Sequence, residues 1–284
     1  MARKTKSKRY PVQRHLNMVN PAGAPPLNST IDVAAGLSIA NHRLYRQGRV
    51  YECSVSIDSD VADNTTVDVY ALADTWMVEK AWQMAKSAFD ASNAEEMEML
   101  NGRISRWNDF RVRNGLSGFG GLKVANFLKG TLSPTQFLVG EFSNSTVIDQ
   151  AGATRTFTWG SPGASDYSII EEYDASGNTN WDPTYPATGP YNGLLPNLEP
   201  GAATALQNEG NKPPYDAQDI GQAIWVKVGT LHLSAGRQRL STGFFSAPCG
   251  IIALTNTGWL DTPDIQVEVK SGDYKGVKAP TMME

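Results

Sequence analysis

The residues best suited to chemistry are cations, and they crowd one end of the chain. Between Met1 and Arg14 lie Arg3, Lys4, Lys6, Lys8, Arg9 and Arg14, with no acid and almost no apolar side chain among them. Guanidinium and ammonium groups neutralise phosphates and release the counterions condensed on a nucleic-acid backbone, a task that needs little base geometry. The same composition also serves as a solubilising tail or a nuclear localisation signal. Arg43, Arg46 and Arg49 form a second basic cluster ahead of the first long strand. They are expected to line one surface together with the arm; ordinary solvated arginines are the alternative. Residues 1–50 hold nine basic residues against one acid, Asp32, although the whole chain carries a net charge of −4. A basic end on an acidic body points to two surfaces with different partners.

Catalytic and metal chemistry find little footing. His15, His42 and His232 lie far apart, no His-x-His pair occurs, and Cys53 and Cys249 do not have zinc spacing. The run Gly115 to Gly121 lacks the Lys-Ser/Thr end of a phosphate loop. Asp216 with Asp219, and Glu171 with Glu172, are neighbouring carboxylates of a kind common on loops. Asp174, Ser176 and Asn178 place oxygens at alternate positions, but the glycine and terminal glutamate of a calcium loop are out of register. The expectation is no catalytic residue, no metal and no cofactor. Both cysteines sit in apolar runs and read as buried free thiols, with a disulfide between them as the alternative.

The elements that position these residues are mostly strands. A length of 284 residues with 40% hydrophobic content fills one large β domain or two small ones. A charged fraction of 19% is below the roughly 25% of soluble domains and fits a chain that buries surface against copies of itself. No apolar run reaches the roughly 18 residues of a membrane span. No apolar segment follows the N-terminal charges, so a signal peptide is not expected. Tyr51, Cys53, Val55 and Ile57 alternate with polar residues, and Val67, Val69 and Ala71 repeat the pattern, which predicts a hairpin. Val78, Trp82, Ala85 and Phe89 mark one face of a helix, and Ser92 to Glu95 has the form of a capping box for a second. Residues 106–112 read as the approach to a strand. Further strands are expected at 136–142, 154–159, 167–173 and 224–233. A continuous strand covered on both faces is expected at 244–255, and another strand at 265–269. Trp76, Trp82 and Trp107 read as core anchors. Residues 174–219 form a long loop without period, and its Trp181, Tyr185, Tyr191 and Tyr215 are candidate interface anchors.

Three stretches carry a resemblance. They are Tyr70 to Val112 (YALADTWMVEKAWQMAKSAFDASNAEEMEMLNGRISRWNDFRV), Thr242 to Thr255 (TGFFSAPCGIIALT) and Val267 to Pro280 (VEVKSGDYKGVKAP). Together, over about a quarter of the chain, they resemble capsid proteins of small circular Rep-encoding single-stranded DNA (CRESS-DNA) viruses. The resemblance implies a self-assembling icosahedral shell of identical subunits, located in the virion. It also implies a packaged genome held by the arm residues Arg3, Lys4, Lys6, Lys8, Arg9 and Arg14; single-stranded DNA is the first reading, and RNA stays open as the alternative because small RNA viruses have coat proteins of similar layout. The arm departs from the family pattern in being short and lysine-rich. The expected fold is mainly β: a single jelly roll, an eight-stranded antiparallel β-sandwich, with a helical insertion at about 72–101. Residues 1–30 are the extended basic arm and 31–284 the shell domain. A glycan-binding, lectin-like β-sandwich is the alternative function.

Overall fold

Alternation of apolar and polar side chains builds the first long strands. β3 (Val50–Val61) turns Tyr51, Cys53, Val55 and Ile57 inward, and β4 (Thr65–Leu72) does the same with Val67, Val69 and Ala71; all seven are buried in this computed structural model. The structure describes residues 11–19, 28–61, 65–99, 107–127, 134–136, 143–160, 163, 165–175, 224–257 and 261–282.

The protein is mainly β, with a nearly closed sheet. Its frame is two antiparallel layers. One runs β1 (His15–Val19), β14 (Asp261–Val269), β3, β11 (Gly236–Ser241). The other runs β2 (Asn28–Asp32), β13 (Ile251–Asn256), β4, β10 (Trp225–Leu233). β12 (Phe245–Pro248) pairs with β3 beside β11. Inward side chains of both layers form one core, including Leu16, Ile31, Val55, Val69, Leu233, Ile252 and Val267. β5 (Gly120–Phe127) pairs antiparallel with β1 and parallel with β2, and so joins the layers along one edge.

α1 (Val33–Asn41) follows β2 directly. Asp32 caps it, its carboxylate accepting from the Ala35 amide at 2.8 Å. Val33, Ala34 and Leu37 enter the core between the layers. Gly36 lets the helix approach closely: a Cβ there would lie 3.0 Å from both Leu16 and Val124.

The described residues between Ala73 and Ile224 belong to one long connection, the excursion, between β4 and β10. β4 and β10 are hydrogen-bonded neighbours with Leu72 opposite Trp225, and the Ala73 amide donates to the Ile224 carbonyl at 2.7 Å. The chain therefore leaves and returns at one point, as at the turn of a hairpin. A long insertion there is tolerable because closure entropy grows only with the logarithm of loop length. The excursion carries α2 (Trp76–Ser92), α3 (Ala94–Met99), β5, β6 (Pro134–Gln136), the small sheet of β7 (Thr146–Ile148), β8 (Thr154–Thr158) and β9 (Asp166–Ser168), and α4 (Ile169–Ala175). A second core lies beneath it. Val78, Ala81, Trp82 and Ala85 of α2 pack with Phe110, Phe157, Trp159 and Ile170 against Val50, Leu72 and Ile251 of the frame.

Several expectations are corrected. β3 and β4 are not a hairpin: each has other strands on both sides, and they belong to opposite layers. The expected arm of residues 1–30 includes two strands of the frame, and Leu16 and Met18 of β1 are buried. The run 244–255 is two strands in different layers, because the chain turns at Cys249 and Gly250, both with positive φ. The expected strand 167–173 is only β9 before α4 begins. Residues 107–112 are irregular. Ser92 ends α2 and donates back to the Phe89 carbonyl instead of capping α3. Trp82 is a core anchor, but Trp76 and Trp107 are 48% and 42% exposed. The expected strand 136–142 is met only by β6, and 137–142 lie outside the described residues. Cys53 and Cys249 are buried free thiols, both pushed up by burial.

Candidate nucleic-acid interface

Of the basic residues singled out, Arg3, Lys4, Lys6, Lys8 and Arg9 lie outside the described residues, as do Trp181, Tyr185, Tyr191 and Tyr215. Arg14, Arg43, Arg46 and Arg49 are described, and the C-terminal segment 269–282 contacts Arg14, Arg46 and Arg49. This segment runs beside the start of β3. The Val50 amide donates to the Pro280 carbonyl at 3.0 Å, Lys270 to Glu52 at 2.9 Å, and Met282 to Gly48 at 3.2 Å. On the other side, the Val269 amide donates to the Arg14 carbonyl at 2.9 Å, and a Cβ on Gly276 would lie 2.6 Å from Val12. The chain leading back to the arm thus emerges along the 269–276 stretch.

Arg43, Arg46 and Arg49 lie on the irregular link between α1 and β3, so their spacing of three is neither helical nor strand-like. Arg49 donates to the Ala279 carbonyl at 2.7 Å and stacks 3.5 Å over the Tyr274 ring. Arg46 reaches Asp109 at 3.3 Å, and its amide donates to the Tyr274 hydroxyl at 3.2 Å. The Arg14 guanidinium donates to the Val269 carbonyl at 3.3 Å. Sequence reasoning missed three lysines on the same surface. Lys270 and Lys278 both grip Glu52, the former at 2.7 Å. Lys275 donates to the Leu44 carbonyl and lies 5.3 Å from the Tyr274 ring centre. The pairing of β14 with β3, and of the segment after it with residues 48–52, brings these lysines to the arginines, more than two hundred residues away, so no local signal could have found them.

Tyrosines underpin the surface. Tyr45 is fully buried, meets Tyr274 edge-on at 5.9 Å and donates to the Lys275 carbonyl at 3.0 Å. Tyr51 donates to the Arg46 carbonyl at 2.6 Å, and burial pushes its hydroxyl well above the usual range. Such anchors hold the cations at fixed positions on the surface. Beyond them, the outward face of β1, β14 and β11 is a polar ladder: Arg239 donates to Gln266 at 2.6 Å, and Gln266 to Asn17 at 2.7 Å.

Two carboxylates titrate in opposite directions. Hydrogen bonds from Lys270 and Lys278 hold Glu52 below the usual carboxylate range, so its stabilisation is present above that range and is lost as pH falls through the lowered value. Burial pushes Asp109 up despite the Gln47 amide and two arginines, so its contribution is greatest at low pH and is lost as pH rises through the raised value. Urea midpoints measured from about pH 3 to 7 are expected to separate them. The deficit of Glu52→Gln against the parent should grow with pH, whereas Asp109→Asn should gain on the parent over the same range. Parallel curves for the two variants would contradict this assignment.

Among the described residues no group of three or more His, Cys, Asp or Glu could hold a metal ion. An apolar cleft of about 580 Å³ lies in the excursion between α2, β7, β8 and α4, away from the cations. In comparisons with known proteins, the chain matches no family model, no curated protein and no solved structure.

Proposed function

We propose that the chain is a jelly-roll capsid subunit that self-assembles into a closed shell and packages a viral genome. The observation that carries this reading is the strand order joined to the basic end. Successive pairs β1–β2, β3–β4, β10–β11 and β13–β14 each put one member in either layer, giving the orders β1-β14-β3-β11 and β2-β13-β4-β10. We read this interleaving of eight strands as the double Greek key of a jelly roll, an architecture that capsids share with lectins and cupins. The fold alone does not select among these. The choice rests on cations: Arg14, Arg49, Lys270, Lys275 and Lys278 lie on or against the 269–282 segment, whose Val269 and Gly276 meet Arg14 and Val12, and Arg3, Lys4, Lys6, Lys8 and Arg9 precede these in the sequence. Phosphate neutralisation by arm and surface together favours a polyanionic partner inside the shell. The chemistry favours nucleic acid without deciding DNA from RNA; the sequence resemblance favours single-stranded DNA. The glycan-binding alternative leaned on Trp181, Tyr185, Tyr191 and Tyr215, and no observation on the described residues favours it.

The test is negative-stain electron microscopy of the protein expressed alone, with the ratio of absorbance at 260 and 280 nm. Uniform closed particles with raised 260 nm absorbance are expected. Removing residues 1–10 is expected to leave particles that form but carry less nucleic acid. Pro11 to Arg14 are kept because the Arg14 carbonyl holds β14. A chain that stays monomeric across salt and pH would overturn the reading.

A further inference from the structure

The cation surface has an aromatic neighbour that the sequence did not single out. Phe244 is 49% exposed, and Lys270 Nζ lies 5.7 Å from its ring centre. Its exposure is built by the backbone. β11 and β12 both pair with β3, with Ser241 opposite Ser56 and Phe245 opposite Cys53. Three residues, Thr242 to Phe244, therefore face two, Ser54 and Val55. This is a β-bulge, a device that re-aims side chains at the edges of sheets.

The bulge is held on both sides. The Thr242 amide donates to the Val55 carbonyl at 3.0 Å, and the Val55 amide donates to the Thr242 hydroxyl at 3.1 Å. Gly243 takes a φ of 74°, which a side chain would strain, although a Cβ there would meet nothing within 4 Å. Glycine is thus needed for the turn and not for room. The turn leaves Phe245 packed against the core and Phe244 on the side where Glu52, Lys270 and Lys278 stand.

Placing a phenyl ring half in water costs hydrophobic free energy that an outward serine would not. A ring beside ammonium groups suits one ligand well: a polyanion with flat unstacked faces. Bases of a single strand stack on an aromatic ring while the backbone passes the cations, and this is tolerant of sequence because every base has a π face. In a duplex the bases are stacked on one another and have no free face for the ring.

We propose that Phe244 is a base-stacking platform and that this surface selects single-stranded over double-stranded nucleic acid. The inference rests on the nucleic-acid reading of the same surface and adds strandedness and a residue to it.

The test is fluorescence anisotropy of labelled oligonucleotides of equal length, with the full chain at a concentration where microscopy shows free subunits. The probes are oligothymidine, oligouridine and a DNA duplex. The parent is expected to bind both single strands more tightly than the duplex, since stacking does not read the 2′-hydroxyl. Phe244→Ala is expected to lose about tenfold for single strands, one base stack, with little change for the duplex. Phe244→Trp should restore the preference. Loss of equal size on all three probes, or no loss, would overturn the proposal, as would Phe244→Leu binding like the parent. Particle formation by the same variants is read separately. Shells that form while the preference is absent sink this inference alone; a preference kept by a chain that never assembles sinks the capsid reading alone.

Discussion

Replacing Asp32 with alanine should cost about 3–5 kcal/mol of stability, more than its partly exposed position suggests. One carboxylate oxygen caps α1 through the Ala35 amide, and the other faces Arg111, whose side chain is only 5% exposed. Losing the cap alone costs roughly 1 kcal/mol. The rest comes from leaving a buried guanidinium without its carboxylate, which is far worse than never having buried the pair. Arg111 belongs to the excursion and Asp32 to the frame, so the pair also ties one to the other. Asp32→Asn keeps a capping oxygen and removes the charge, and it should fall between parent and alanine. Urea denaturation of the three proteins measures this. Equal midpoints for Asn and Ala would mean that the charge contributes little.

Trp82→Ala should cost a similar amount, about 3–5 kcal/mol, because it empties the centre of the second core. Trp82 is 3% exposed, meets Phe110 edge-on at 5.5 Å and covers the backbone at Gly48. A Cβ on Gly48 would lie 2.2 Å from the indole ring, so Gly48→Ala should also destabilise, by about 1–3 kcal/mol of overpacking. The two effects should not add. Once Trp82 is alanine the space at residue 48 opens, and Gly48→Ala should become nearly neutral. A double-mutant cycle gives this coupling directly; strict additivity would show that the indole does not press on residue 48.

What was legible in the sequence is what repeats. Along most of β3 and β4, and at residues 265–269 of β14, one face is buried against the first core, so apolar and polar side chains alternate there. α2 buries Val78, Trp82 and Ala85 on one side and exposes the other, so its period is helical. α1 was missed because it lacks a polar face: Val33, Ala34, Gly36, Leu37 and Ser38 are all buried, and a mid-helix glycine lowers its propensity. Its stop was hidden too, since the left-handed cap is His42 and not glycine. β12 and β13 were fused into one strand because both ends of the run are apolar, and the turn between them uses Cys249, a residue that seldom takes positive φ. At the candidate interface, the arginines were visible as a cluster, but Phe244 and the three lysines were not. Their meeting depends on strand register and a bulge, which leave no mark in local composition.

The pairing of β1 with β14, His15 opposite Glu268, has a consequence in time. A ribosome finishes β1 long before it makes β14, so the first strand must wait for the last. Contacts of such sequence separation slow folding, because the chain pays closure entropy before they form. The cationic face is shared in the same way, with Arg43 to Arg49 made early and Lys270 to Lys278 made late. A growing chain therefore cannot present that face until residues 270–278 have been made and have docked beside β3.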